Sequence, residues 1–195
     1  MEDSTSSREH LQKALALAAK VHDQALISEI ASIEGELALS EGKIEAAKDA
    51  FQKALAAAQK SGFARAVLSA GISSARLEYE HGSKEKGKEL LHAHLARAEE
   101  MGQPEAIARC IVYLMRAPEE KIAPKQMSRW FERLGEFGLR RFQLEFSRLA
   151  AERSAREGRK KQAEEYGNHA SSLLETLTAE LSQPQRESFR RAFHN

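Results

Sequence analysis

The sequence predicts an all-α protein, an array of antiparallel helical hairpins, and three observations carry that expectation. The segment QKALA occurs at residues 12–16 and again at 52–56, and the next step of 40 gives HAHLA at 92–96, which keeps Leu95 and Ala96 in the frame of Leu15, Ala16, Leu55 and Ala56. Apolar letters recur at helical spacing, as in Ile30, Ile33 and Leu37, or Ala47, Ala50, Phe51, Ala54 and Leu55. Gly42 and Gly82 share the 40-residue interval and Gly158 repeats the device. Each is expected to close a helix in the left-handed conformation and let the chain reverse. No strand signal competes with this pattern.

The elements follow in order. Residues 1–6 are expected to be disordered, and a first helix over 7–22 carries the first QKALA. Helices at 24–41 and 43–60 flank Gly42 and make the clearest hairpin, and helices at 63–81 and 83–101 meet at Gly82. A helix at 104–116 ends before APEEKIAP, an irregular loop over 117–124, because Pro118 and Pro124 forbid continued helix and Pro124 suits the first turn of the next one. Helices at 124–137, 139–157 and 159–181 and a short cap at 185–193 complete nine helices and a cap. One domain over 1–195 is expected, with better-matching repeats in 7–116 and divergent repeats plus the cap in 125–195. The first helix has the phase of the second member of a hairpin, so it reads as a lone capping helix or as part of a longer protein.

Composition excludes several classes of function. The chain has 195 residues, 42% hydrophobic and 30% charged, with only four prolines, which describes an ordered chain rather than a disordered one. No stretch reaches the roughly 20 apolar residues of a membrane span, and the polar, acidic start lacks a signal pattern, so a cytoplasmic location is expected. The single cysteine, Cys110, has no partner for an internal disulfide and lies in the apolar run AIARCIVYL, where it reads as a buried thiol. Net charge is +1, split as −3 over residues 1–119 and +4 over 120–195. Much of the basic half is interleaved, as in Arg141, Glu145, Arg148 and Glu152, which reads as a solvated helix face. The run Arg159, Lys160, Lys161 lacks aromatics to stack on bases, so nucleic acid is disfavoured as a partner and an accessory role on nucleic acid is kept only as an alternative.

Catalysis and metal binding are not expected. His81 and His92 are separated by Gly82 at a turn, and His92 and His94, two apart on one helix, point roughly 200° apart. No glycine-rich phosphate loop, nucleophile elbow or HExxH pattern is present. No enzyme activity, cofactor or metal is anticipated.

Residues 28–61 carry a resemblance. Gly35 in mid-helix, Gly42 at the turn, Ala47 early in the second helix, Phe51 four residues later and Ala54 three after that match the packing positions of the tetratricopeptide repeat. This chain resembles that family in a longer variant of about 40 residues. The physical basis is close helix crossing, where only Gly or Ala fits and an aromatic fills the gap beside them. The corresponding residues are Ala75, Gly82, Gly87, Leu91 and His94 in the second unit, Met115, Ile122, Met127, Phe131 and Leu134 in the third, and Ala151, Gly158, Ala163 and Ala170 in the fourth. Ala31 and Ala38 stand where family members often carry large aromatics.

The resemblance implies a right-handed superhelical array, a tetratricopeptide-like α-solenoid, whose first helices line a concave groove. It further implies a scaffold or adaptor within a bacterial signalling or regulatory protein, binding a peptide or helix of another protein, with an acidic segment as the natural complement. The groove residues carried over are Glu36, Ile72, Arg76, Tyr79, Arg109, Val112, Arg116 and Arg148, with Tyr79, Ile72 and Val112 as apolar anchors. Glu80, Glu145 and Glu152 fall on the same helices. Only Asn168 and Asn195 could supply asparagine, so the family's chaperone-carboxylate clamp is not expected. Self-assembly into a homo-oligomer through an exposed end of the array is the alternative reading.

Overall fold

A computed structural model describes residues 2–116, 121–179 and 181–194. Among them are ten α-helices and no strand: α1 (Glu2–Lys20), α2 (Gln24–Ser40), α3 (Ile44–Ser61), α4 (Ala64–His81), α5 (Lys84–Glu100), α6 (Pro104–Arg116), α7 (Pro124–Glu136), α8 (Arg140–Arg156), α9 (Lys160–Thr178) and α10 (Gln183–His194). The all-α class is as the sequence predicts. Most boundaries lie within a residue or two of expectation, while α1 begins at Glu2 and α9 stops at Thr178. Residues 117–120 of the anticipated loop lie outside the described residues, and 121–123 are non-helical. No helix among the described residues is long and apolar enough to cross a membrane. Contacts divide the chain into two compact units, Met1–Gly102 and Gln103–Asn195.

In the first unit, local chemistry sets the helix ends. Asp23 caps α2 by accepting the N–H of Leu26 at 3.0 Å, and Ser83 caps α5 by accepting that of Lys86 at 3.4 Å. Gly42 takes φ +72° and ends α2 as expected. Gly82 does not: its φ is −123°. There the Glu78 carboxylate accepts the N–H of Ser83 at 3.2 Å and covers the end of α4, so the turn is closed by a side chain rather than by a left-handed glycine.

Small residues then let the helices approach. Phe51 is fully buried over Gly35, where an added Cβ would stand 2.6 Å from the ring's Cδ1. The same aromatic packs with Ala38, Ala47 and Leu77, and a second cluster joins Ala31, Ala54, Ala58 and Ala70. One hairpin later the arrangement is varied. A Cβ on Gly71 would lie 2.6 Å from the His94 imidazole, and one on Gly87 would lie 2.6 Å from the Cβ of Tyr79. His94 and Gly71 therefore occupy the places that Ala54 and Ala31 hold 40 residues earlier. A larger residue on α5 is matched by a smaller one on α4.

The second unit is packed with larger side chains. Helix α6 is apolar nearly all round, with Ile107, Cys110, Ile111, Val112, Leu114 and Met115 buried, and Cys110 is a free thiol inside it. Pro124 opens α7, which buries Met127, Trp130 and Leu134. Phe131 of α7 meets Phe146 of α8 at 6.3 Å, and Tyr166 and His169 of α9 at 5.7 and 4.8 Å between ring centroids. Burial pushes the Tyr166 hydroxyl above its ordinary pKa, partly offset by a hydrogen bond with Ser128.

Arg153 of α8 is 2% exposed, and its Nη2 donates to the Met115 carbonyl at 3.3 Å. That carbonyl belongs to the last turn of α6, where helix carbonyls lack intrahelical donors and the dipole is negative, so a guanidinium is a fitting cap.

Candidate functional site

The first helices of the hairpins are α2 and α4 in the first unit and α6 and α8 in the second. In the first unit the expected groove residues Glu36 and Arg76, 40 apart in sequence, pair directly, with Arg76 Nη1 2.6 Å from Glu36 Oε2. Arg76 Nε also donates to both carboxylate oxygens of Glu80 at 3.0 Å. One guanidinium is thus held between carboxylates of two adjacent first helices, and its side chain keeps only 16% exposure.

In the second unit, Arg116 Nε donates to Glu145 Oε1 at 3.1 Å, and the guanidinium lies 5.5 Å from the Tyr113 ring centroid. Arg148 pairs with Glu152 one turn on at 2.8 Å, and Arg109 is half-buried. Arginine and glutamate therefore alternate on the first helices of each unit.

The apolar members are elsewhere. Ile72, Tyr79 and Val112 are buried in the core, and Tyr79 packs on Gly87 of α5. Their expected role as accessible anchors is corrected by this placement: at these three positions the helical period turns the side chain inward, and the small Gly87 leaves room for the ring. Of the expected groove residues, those that keep some exposure are the charged ones. Since Arg76 and Arg116 already hold carboxylates of their own chain, an anionic ligand must compete there with Glu80 or Glu145.

Sequence reasoning passed over Arg153. A signal was present, because Leu149, Ala150, Arg153 and Ser154 recur at helical spacing and are buried together. The histidines do not converge: among the described residues no group of three or more His, Cys, Asp or Glu could hold a metal ion. His81 and His92 are exposed, whereas His94 is half-buried against Gly71, and burial lowers its pKa.

Clefts open between the helices. One of about 340 Å³ lies where α1, α2 and α3 meet, beside Leu11, Leu37, Asp49 and Lys53, and one of about 170 Å³ lies between α7 and α9 beside Phe131, Glu132, Glu165 and Tyr166. No protein-family model, no curated protein and no solved structure matches the chain.

Proposed function

We propose that the protein is an interaction module of the tetratricopeptide-like solenoid kind, a scaffold that holds a segment of another protein against the charged face of its first helices. The observation that carries this reading is the Glu36–Arg76 pair, which sets equivalent positions of successive first helices side by side, as a repeat array requires. Gly35 beneath Phe51 supports the same register. An acidic peptide or helix, in a cytoplasmic signalling or regulatory setting, is the partner that fits the arginines carried by these first helices. Complementary charge of this kind serves on-rate and specificity more than raw affinity.

The test is affinity capture of the native partner with wild-type chain, with Arg109→Glu/Arg148→Glu, and with Lys48→Glu/Lys53→Glu on α3 as the control. Loss with the first pair and retention with the second supports the first-helix face, and the reverse pattern moves the site to the second helices. A second reading, self-assembly, is favoured by a different observation: four of the large exposed apolar residues, Leu17, Val21, Leu26 and Ile33, lie on α1, on α2 and in the turn between them.

A further inference from the structure

The 40-residue repeat allows the N-terminal hairpin to be compared with its own continuation. Leu17 on α1 is 62% exposed and Ile33 on α2 is 52% exposed, whereas Ala57 and Ser73, the residues 40 further on, are 5% and 1% exposed. The same positions are therefore covered inside the unit and uncovered at its edge. They are also larger and more apolar there, Leu17 and Ile33 against Ala57 and Ser73. One repeat further in, α4 has α2 beside it, tied by the Glu36–Arg76 pair. The outer face of α2, which carries Ile33, is open.

We infer that this face is covered by a second copy of the chain, and that two chains pair through their α1–α2 hairpins about a two-fold axis. The charged rim identifies the occupant. On α1, the exposed Lys13 and Lys20 stand four residues before and three after Leu17, on the same helix face. On α2, the exposed Glu29 stands four residues before Ile33. The basic-apolar and acidic-apolar faces belong to one hairpin, so a two-fold axis lays α1 of each chain along α2 of the other and brings Lys13 and Lys20 towards Glu29 of the partner subunit. An isologous contact of this type closes as a dimer and does not propagate. A foreign helix would need the same pair of opposite faces, which a second copy has by construction. The inference deepens the self-assembly reading and is independent of the charged first-helix face.

Sedimentation equilibrium at roughly 100 µM, where a micromolar dimer is well populated, reads it directly. The full chain is expected at twice its 21.7 kDa mass. Leu17→Glu/Ile33→Glu, both at exposed positions, should sediment as a monomer with unchanged helicity, and Phe63→Glu, at an exposed apolar residue elsewhere in the unit, should remain dimeric. Lys13→Glu/Lys20→Glu should weaken self-association and form a mixed dimer with a Glu29→Lys chain. A wild-type monomer would overturn both this surface and the self-assembly reading. A dimer indifferent to Leu17→Glu/Ile33→Glu would overturn the surface alone, and growth beyond a dimer would overturn the two-fold arrangement.

Discussion

Gly35 and Phe51 show how one missing Cβ positions two helices. The ring occupies the space that any other residue at 35 would need, so the contact depends on both partners. Phe51→Ala is expected to cost about 3–5 kcal/mol, read as a shift of the urea midpoint at constant slope. His94 adds a pH dependence. Burial favours its neutral form, so its folded-state pKa lies below the ordinary 6.5. Its contribution is then present above pH 6.5 and is lost as pH falls below that value towards the lowered folded pKa, because the unfolded chain takes up the proton first. Urea titrations at pH 7.5 and 5.5 should show a larger loss of stability for the wild type than for His94→Gln, and equal losses would assign the effect to other groups.

At the scale of the elements, helix existence was legible because apolar periodicity, prolines at the first helical turn and glycines after the last one agree locally. The departures come from side chains that no local pattern announces. The 40-residue interval predicts a left-handed cap at Gly82, but Glu78 reaches over the helix end and takes over that role. The repeat frame predicts Tyr79 as a groove anchor, whereas Gly87 leaves the space that receives it. Its placement needed the pairing of the two helices, which the spacing within either helix does not contain. Arg153 joins α8 to the end of α6 in the same non-local way. Arg153→Met keeps the apolar stem and removes the donors, so it should cost about 1–3 kcal/mol by leaving a buried carbonyl unsatisfied, and native-state hydrogen exchange should show the loss first in the last turn of α6.

For the whole molecule, the two units differ in how their cores are made. The first is assembled from Ala and Gly contacts beneath Phe51, Leu77 and Leu91, and the second from large aliphatics and a cluster of four aromatic rings. The repeat is clear in the sequence where packing is done by small residues, since only Gly or Ala is tolerated there, and it fades where many large residues can fill the same volume. Each unit encloses its own core, so residues 1–102 expressed alone should be helical by circular dichroism and melt cooperatively. A non-cooperative melt would mean that the first core needs the second unit.

The exchange of Ala31 and Ala54 for Gly71 and His94 also fixes an order of events. Between the two pairs lie two single-letter intermediates, and they are not equally passable. A histidine placed opposite alanine drives the imidazole against a methyl group, an overpacking that costs about 1–3 kcal/mol, whereas a glycine placed opposite alanine leaves a small void and a backbone cost of about 1 kcal/mol. Any hairpin converted from one pair to the other one substitution at a time therefore crosses the lower barrier by changing to glycine first, and the histidine that follows is then held in place, because restoring the alanine beneath it is the unfavourable step.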